Sequence, residues 1–469
     1  MKIRSTANSI AAALGFAALL VPSASAQADG PALGDTRIRQ SDVVGGAMSL
    51  QDIRRAGMVV FSTPFNRLDG YGDGPVDVID PLSPGGRPTL QGNGTFLRVN
   101  GLDAQSCLEC HSSASNRTIP FRFGVGGHGA SSANVMAGPR NIDVDDEAGN
   151  GFAAFDGRYI NPPFLFGAGG IELLALEMTE DLQALRARAA ISPGVDVPLV
   201  THGISYGSLR YDAQTQTYDT SRVEGVDEDL VVRPFGRKGD FATVRAFGVA
   251  AMDFHFGMQP VERVGASVDD DGDGIADEIL VGELSALHAF GTQLERPVVE
   301  EWTTEARRGL RAFDAIGCAS CHVPRLQTRG RELRYRFPEV EEDPASNVYM
   351  RVDLASSTAG FDAAGATGLD IPLFSDLKRH DMGQALSEST GSSQDSWFLT
   401  PRLWGVADSA PYLHDGRATT LTDAILAHGG EGQAARDGFA ALDPTDQVAL
   451  VTFLKRLRTP ADPAGDILP

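Results

Sequence analysis

The chain has 469 residues, of which 62 are acidic and 40 are basic, so its formal net charge at pH 7 is −22. A chain this acidic is not expected to bind nucleic acid through a basic patch. Its charge could steer a basic protein partner towards it, and it also favours solubility. Its length suits two or three domains, each with its own core.

The first 26 residues have the pattern of a secretory signal peptide. Lys2 and Arg4 give a positive start, an apolar run covers 10–21, and Ala24-Ser25-Ala26 resembles a cleavage site. The run is short for a membrane span, and no later stretch has about 18 apolar residues in succession. An uncleaved anchor is the less favoured alternative. We expect a periplasmic protein without a membrane span after cleavage, with a mature charge of about −24.

All four cysteines belong to two copies of one short pattern, Cys-x-x-Cys-His. Two thiols at this spacing can each add to a vinyl group of one porphyrin, and the next imidazole is then held under the iron. A zinc site does not need a histidine after each cysteine pair, and a redox dithiol does not need two copies. We therefore expect two covalently bound haem c groups, held by Cys107, Cys110 and His111 and by Cys318, Cys321 and His322.

A Gly-x-x-x-Phe step after paired arginines stands upstream of each haem motif. It joins Gly57 to Phe61 in the first copy and Gly309 to Phe313 in the second. The step resembles the N-terminal helix of class I cytochromes c, where the glycine allows close helix packing and the phenylalanine lies near the haem. A Gly-, Pro- and Asp-rich stretch, 69–100, reads as a loop inserted into the first unit. The pattern indicates an internal duplication.

The remaining segments predict a mainly α fold with long loop insertions and a small β excursion at 199–232. A glycine-rich loop is expected at 121–157, and helices are expected at 171–188, at 237–258 and from Asp443 onwards. The expected N-caps are Ser49, Thr303 or Thr304, and Asp443. The last helix should bury one stripe, Val448, Val451, Leu454 and Leu457. The predicted domains are the signal peptide 1–26, an N-terminal haem domain 27–295 and a C-terminal cytochrome c-like domain 296–469.

An acidic stretch at 269–280 matches the first part of a calcium-binding loop. Carboxylates stand at positions 1, 3, 5 and 9, with glycine at position 6 for the sharp turn. Position 12 is Leu280, so the loop is not a complete EF-hand, and Glu278 or Glu283 could supply the last ligand. The alternative is a solvated acidic turn. We expect a structural Ca²⁺ ion with ligands from Asp269, Asp271, Asp273, Ile275 and Asp277.

Four further stretches of the C-terminal half read as motifs: 375–383, 400–405, 412–417 and 424–431. Together with the two haem motifs, they resemble the bacterial di-haem oxidoreductase family, which is distantly similar to the bacterial di-haem cytochrome c peroxidases. The N-terminal half matches only around Cys107–His111 and, loosely, at 163–174. The resemblance implies two mostly helical cytochrome c-like domains whose haems are close enough to exchange electrons.

In the related peroxidases, the C-terminal haem has a high potential and a His/Met ligand pair, and peroxide binds at the N-terminal haem. Carried over, His322 is the proximal ligand of the second iron and Met382 its sixth ligand, with His380 as the alternative. A thioether ligand raises the potential, although Met382 could also be a core residue. The resemblance further implies that His414 and Arg417 bond haem propionates or order the domain interface.

The first haem decides the function, and His111 is expected to be its proximal ligand. Its far side is either open or held by one of several residues, namely His128, Met136, Met178, His202, His255 and Met258. Peroxide cleavage needs an acid/base group on that side, and Glu172 or Glu177 could serve. Either glutamate could instead be a solvated helix carboxylate. If Met178 bound the iron, the protein would only carry electrons.

The leading hypothesis is a periplasmic di-haem oxidoreductase that reduces a small oxidant such as hydrogen peroxide. Electrons would pass from a basic periplasmic cytochrome or copper protein to the second haem and then to the first. The alternatives are an electron carrier in which both irons are six-coordinate, and a haem oxygenase or redox enzyme acting on an organic or protein substrate. Three side chains are candidates to lie between the haems, although packing could explain each: Trp302, Trp397 and Trp404.

Overall fold

The computed structural model describes residues 30–34, 37–72, 106–111, 136–142, 155–388, 392–460 and 466–467. The signal-peptide pattern, most of the inserted stretch 69–100 and His128 lie outside these residues. Only the backbone is described for Glu109 and Cys110 and for the segments 136–142 and 155–160. Among the described residues, no helix combines the length and the apolar character that a membrane crossing requires.

The described chain has its longest elements in helices, as predicted, but it contains six small antiparallel sheets where one β excursion was predicted. The α-helices are α1 Gln40–Val44, α2 Leu50–Ser62, α3 Cys107–Cys110, α4 Ala168–Ala190, α5 Val244–Phe256, α6 Val261–Val264, α7 Val281–Thr292, α8 Thr304–Ala315, α9 Leu421–Leu426, α10 Gln433–Ala441 and α11 Pro444–Leu454. The strands are β1 Met136–Ile142, β2 Phe155–Ile160, β3 Asp196–Thr201, β4 Ile204–Asp212, β5 Thr217–Asp219, β6 Val298–Val299, β7 Leu326–Gln327, β8 Glu332–Arg336, β9 Val348–Asp353, β10 Asp362–Ala364, β11 Gly368–Ile371, β12 Arg379–Asp381, β13 Trp397–Leu399 and β14 Leu457–Arg458.

The sheets are two- or three-stranded and antiparallel. The predicted β excursion is the meander β3-β4-β5, in which Val197 lies opposite Leu209 and Tyr211 opposite Tyr218. A second three-stranded sheet has the order β10-β11-β7, and the other pairs are β1-β2, β6-β14, β8-β9 and β12-β13.

Helices α2 and α7 make a close contact in the first half of the chain. A Cβ atom built at Gly57 would lie 2.0 Å from the carbonyl oxygen of Ala286, so only glycine fits at this crossing. One turn further along each helix, the rings of Phe61 and Phe290 lie 5.2 Å apart. The Gly-x-x-x-Phe step of α2 therefore meets an Ala-x-x-x-Phe step of α7.

The same contact occurs between α8 and α11 in the second half. A Cβ atom at Gly309 would lie 1.9 Å from the carbonyl oxygen of Ala449. The rings of Phe313 and Phe453 lie 5.3 Å apart. The second Gly-x-x-x-Phe step again meets an Ala-x-x-x-Phe step, so the two halves repeat one helix pair, as the suspected duplication predicts.

The predicted helix starts are confirmed where a side-chain cap defines them. The hydroxyl of Ser49 accepts a hydrogen bond from the Asp52 amide, Thr303 caps α8, and Asp443 precedes Pro444 at the first turn of α11. The helix expected from 237 begins only at Val244, because the preceding residues form a tight turn in which the Phe241 amide bonds the Phe235 carbonyl.

The stripe predicted for α11 was only partly correct, because Leu454 and Leu457 are buried but Val448 and Val451 are not. Val448 is 57% exposed, and the buried face consists of Ala449, Leu450, Phe453 and Leu454. The contact with Gly309 sets this phase, because it requires Ala449 to face α8.

Two hydrophobic clusters form the core. The smaller one joins α8, α10 and α11 around Phe313, Phe374 and Phe453. The larger one is built from α2, α4 and α7, and it also takes in apolar residues from 326–371. This strand-rich segment follows the second haem motif in sequence, yet its side chains pack on the core of the first half.

The crossing of α8 and α11 predicts a matched pair of glycine substitutions. Replacing Gly309 with alanine should lower the free energy of unfolding by about 1–3 kcal/mol, because the helices must move apart. Gly248→Ala on α5 is the control, since its Cβ would meet only side-chain atoms at 3.5 Å or more. Gly248→Ala should leave the free energy of unfolding unchanged or raise it, because alanine is more favourable than glycine in a helix by about 0.8 kcal/mol. Urea unfolding measures the free energy of unfolding of both variants. Equal changes in the two variants would contradict the close crossing of α8 and α11.

Candidate haem and metal sites

The first Cys-x-x-Cys-His motif forms the short helix α3 and ends at His111. The Nδ1 atom of His111 lies 2.9 Å from the carbonyl oxygen of Pro163. The ring lies 6.4 Å from that of Phe247 on α5, measured between ring centres. Burial lowers the pKa of His111, so the ring is held neutral.

The second motif repeats this arrangement. The Nδ1 atom of His322 lies 3.1 Å from the carbonyl oxygen of Phe374, and in both motifs the acceptor stands 52 residues after the histidine. Burial and the neighbouring His428 lower the pKa of His322 to about 4.

Both motif histidines therefore have the form that an iron ligand requires. The carbonyl accepts a hydrogen bond from Nδ1–H, which fixes the tautomer and leaves the lone pair on Nε2. Within the described part of the chain, neither Nε2 atom has a hydrogen-bond partner. Neutral, oriented imidazoles beside cysteine thiols match the donor set of a covalently attached haem.

His380, the alternative sixth ligand at the second site, forms hydrogen bonds to two carboxylates. Its Nε2 atom lies 2.8 Å from a carboxylate oxygen of Asp376, and its Nδ1 atom lies 2.8 Å from one of Glu431. Burial by itself would lower the pKa of His380, but these carboxylates override it and raise the pKa to about 11. Both ring nitrogens of His380 are therefore occupied by carboxylate oxygens, and neither is free for iron.

Met382 and His428 lie together beside Gly432. A Cβ built at Gly432 would be 3.2 Å from the methyl carbon of Met382 and 3.2 Å from Cδ2 of His428. The ring centres of His428 and His322 are 6.4 Å apart. The structure thus brings both a thioether and an imidazole to the second site.

Two side chains of the family-like stretch 400–405 reach the first site. The Arg402 guanidinium donates to the carbonyl oxygen of Phe164 at 2.5 Å, and burial lowers its pKa to about 10. Trp404 is buried against Gly167 and Phe361. In the described structure, Nε of Arg402 and Nε1 of Trp404 are buried without an acceptor. Such unpaired donors suit the carboxylate of a haem propionate, so the residues present fit the group.

His414 and Arg417 lie in the neighbouring stretch 412–417. His414 stacks on Phe398, and its carbonyl accepts a hydrogen bond from the Asn161 amide at 2.8 Å. The guanidinium of Arg417 bonds the Asp415 carboxylate and the Ala385 carbonyl. Burial lowers the pKa of His414 to about 4. The Asn161 contact links this stretch to the segment that follows the first haem motif.

The two candidate glutamates on α4 are both buried and hydrogen-bonded. Glu172 lies 2.8 Å from Nε2 of His288 and accepts the Val244 amide at 2.8 Å. Glu177 accepts the amides of Arg329 and Gly330 at 2.7 and 2.8 Å. Glu172 is thus one member of a carboxylate–imidazole pair, whereas Glu177 fixes the 329–330 loop through hydrogen bonds to its backbone amides.

Glu172 is connected to the first haem motif through α5. Its Oε2 atom bonds the first amide of that helix, and Phe247, less than one turn further on, packs on the ring of His111. The other buried groups around His288 are Tyr335, at 4.8 Å between ring centres, and Glu339, whose pKa is raised by burial.

The other candidates for the far side of the first iron have different surroundings. Met178 and Met258 are fully buried in the larger core cluster, and Nδ1 of His202 lies 2.7 Å from the Gln327 carbonyl oxygen. The ring of His255 contacts Phe254 and Phe256. Among the described residues, no hydrogen bond or ring contact joins any of these side chains to His111.

The acidic loop gathers three of the predicted carboxylates. Oxygen atoms of Asp269, Asp271 and Asp273 lie within 4.8 Å of one another. Asp277 accepts the Ser267 amide instead, and Ile275 donates its amide to Asp273.

Of the two candidates for the last ligand, Glu278 fits and Glu283 does not. Glu278 is buried, and its Oε1 atom has no hydrogen-bond partner among the described residues. Burial, followed by repulsion from the three aspartates, raises the pKa of Glu278 to about 9. Glu283 is bound by Arg37 and caps α7 through the Leu280 amide.

Sequence reasoning missed the roles of His288, Arg402 and His428. Arg402 and His428 lie in the family-like stretches, so the motifs marked their segments without assigning the side chains. His288 stands in an apolar helix without any motif, and only the fold brings it to Glu172.

Two solved structures and one family model are similar to this chain. Among solved structures, the chain is similar to a MauG-like protein associated with microbial copper homeostasis, at 15% identity and a TM-score of 0.35, over 88% of this chain and 90% of that one. It is also similar to the hydrazine synthase of Kuenenia stuttgartiensis, at 16% identity and a TM-score of 0.27, over 55% and 78%. No curated protein sequence matches.

Residues 355–457 match the model of the family described as "Di-haem oxidoreductase, putative peroxidase". The matched segment includes the four C-terminal stretches, with Met382, His414, Arg417 and His428. This segment is therefore similar to the di-haem oxidoreductase family, which confirms the resemblance predicted from its motifs.

Proposed function

We propose that this chain is a periplasmic di-haem c-type oxidoreductase that reduces hydrogen peroxide or a related small oxidant. Electrons enter at the C-terminal haem and are used at the N-terminal haem. The observation that carries the proposal is the repeated histidine geometry. His111 and His322 each stand after a cysteine pair, and each bonds a backbone carbonyl 52 residues downstream.

This chain's residues hold and orient the two groups. A bound haem supplies a redox-active iron at each site. Cys107, Cys110 and His111 hold one haem, and Cys318, Cys321 and His322 hold the other. The two carbonyl acceptors, of Pro163 and Phe374, prevent the imidazole rings from rotating and increase their strength as ligands.

Residues of the C-terminal motifs connect the two sites. Arg402 donates to the Phe164 carbonyl, next to the residue that orients His111, and Trp404 packs against Gly167. Asn161 bonds the carbonyls of Pro411 and Leu413. This interface gives electrons a packed route between the sites, and Arg402 and Trp404 also offer donors to a haem propionate.

The Glu172–His288 pair is proposed to hold and deliver the protons that peroxide reduction consumes. Both side chains are fully excluded from water, and their 2.8 Å hydrogen bond lets one proton be shared between carboxylate and imidazole. Glu177 is the second candidate, but its two bonds to backbone amides favour a role in holding the 329–330 loop.

The acidic surface is proposed to receive a basic electron donor, such as a small periplasmic cytochrome or copper protein. A formal charge of −22 attracts such a partner over a distance of about 10 Å at moderate salt. The signal-peptide pattern supports export, and export agrees with covalent haem attachment.

Spectroscopy of the holoprotein tests the proposed function. We expect a pyridine haemochrome assay to count two covalent haems, and we expect peroxide to be consumed when a reduced donor is supplied. Low-temperature electron paramagnetic resonance (EPR) after partial reduction should show one high-spin haem. Two haems that stay low-spin and do not react with peroxide would instead support an electron carrier. Substrate-dependent oxygen uptake would support a haem oxygenase.

The role of Glu172 is tested by a conservative substitution. Glu172→Gln should lower peroxide turnover about 100-fold or more, in the range of general acid–base effects, while the haem content stays at two. Glu180→Gln is the control on the same helix, because Glu180 forms a partly exposed ion pair with Arg334 and does not contact His288. Its turnover should stay within about threefold of wild type, as expected for a partly exposed ion pair. Equal turnover of E172Q and wild type would remove Glu172 from the mechanism.

The acidic loop is proposed to bind a structural Ca²⁺ through Asp269, Asp271, Asp273 and Glu278. The unpartnered, buried Oε1 atom of Glu278 supports this, because a hard cation satisfies clustered carboxylate oxygens. The ion would join the loop to Gly70, against which the Glu278 side chain packs.

Chelation tests the calcium proposal. Removing Ca²⁺ should lower the melting temperature of the wild type, because an ion that binds only the folded state stabilises it. Glu278→Gln should abolish this response. Asp270→Asn should keep it, since Asp270 lies in the same loop but outside the carboxylate cluster. A melting temperature that is indifferent to chelator and to added Ca²⁺ would identify the loop as a solvated acidic turn.

A further inference from the structure

The second site contains a ligand that the motifs did not assign. We propose that His428, rather than Met382, is the sixth ligand of the second haem iron, on the side opposite His322. This inference rests on the proposed haem attachment at Cys318 and Cys321 and names the ligand set of that site.

The spacing of the two rings carries the proposal. Their centres lie 6.4 Å apart. A metal–imidazole bond is about 2 Å long and the ring centre lies roughly 1 Å beyond the nitrogen, so two imidazoles on opposite sides of one metal have centres about 6 Å apart. The observed spacing is therefore close to that expected of a bis-histidine pair.

The hydrogen bonds of the two rings match this arrangement. Nδ1 of His428 lies 2.8 Å from the carbonyl oxygen of Ala424, just as Nδ1 of His322 lies 3.1 Å from that of Phe374. In each ring the carbonyl takes the Nδ1 hydrogen and leaves the Nε2 lone pair. Across the described residues, neither Nε2 atom has a hydrogen-bond partner.

The backbone around His428 holds the ring in place. Thr420 caps α9, and His428 follows the end of that helix. The next residues pack on the 381–383 turn so closely that a Cβ at Gly430 would lie 2.1 Å from the Asp381 carbonyl oxygen. The carboxylate of Glu431 accepts the Asp381 amide at 3.0 Å. The segment that carries His428 is thereby fixed against the segment that carries Met382.

The rival side chains are less suitable. Both nitrogens of His380 are hydrogen-bonded to carboxylates. Met382 lies next to His428, because its methyl carbon and the His428 ring are both 3.2 Å from a Cβ atom built at Gly432. In this arrangement Met382 packs beside the ligand ring. A His/His pair also gives the haem a lower potential than the His/Met pair of the related peroxidases.

Ligand-specific spectroscopy of the full mature holoprotein tests the proposal. The variants are His428→Ala, His428→Met and Met382→Leu, each first assayed for two covalent haems. Wild type and M382L should both lack the weak red absorption band that marks a methionine sulfur bonded to ferric iron. H428A should convert one low-spin EPR signal into a high-spin one, and added imidazole should restore it. H428M should gain the red band and a higher potential.

Two results would overturn the proposal. One is a red band in the wild type that disappears in M382L. The other is an H428A protein that keeps every low-spin signal of the wild type. If H428A loses haem, H428M decides, because an unchanged spectrum and potential in that variant exclude His428 as a ligand. A wild-type protein without covalent haem would refute the proposed function itself, whereas two haems with peroxide turnover and an unaffected H428A would refute only this inference.

Discussion

The hydrogen bond between a motif histidine and a backbone carbonyl is the constraint on which both sites depend. A Cys-x-x-Cys-His motif places an imidazole beside the thiols but does not orient it. The carbonyls of Pro163 and Phe374 orient it, because each takes the Nδ1 hydrogen and turns Nε2 away from the acceptor. The acceptor must therefore be held rigidly relative to the motif. The two helix pairs supply that rigidity, with Gly57 pressed on Ala286 and Gly309 on Ala449.

The same repeated unit has been extended differently in the two halves. The first unit takes in the long helix α4 and the β3-β4-β5 meander, and its core also accepts the strands that follow the second haem motif. The second unit keeps a small cluster around Phe313, Phe374 and Phe453. The larger core buries the Glu172–His288 pair. The two motif histidines are thus held in the same way and have different surroundings.

The features that sequence predicted correctly are those that depend on short-range patterns. Caps such as Ser49 and Asp443 and the Gly-x-x-x-Phe steps each lie within one or two helical turns, so their spacing alone specifies them. The buried face of α11 was predicted only in part, because Gly309, far away in sequence, decides which face is buried. Arg402 and His428 were missed for the same reason. Their partners, the Phe164 carbonyl and the His322 ring, lie 238 and 106 residues away, and no local pattern encodes such contacts.

The ligand pair of the second haem determines how the two sites can work together. A thioether would make that haem a strong electron acceptor, able to take electrons from a donor of high potential. An imidazole from His428 lowers its potential, so it passes electrons on more readily but needs a more reducing donor. In the proposed direction of electron flow, transfer to the first site would then have a larger driving force. Replacing a thioether ligand with an imidazole thus makes electron transfer between the haems more favourable. It makes reduction of the second haem by the donor less favourable. The encounter with the donor is the step that the acidic surface can accelerate, since steering raises the rate at which a basic partner arrives.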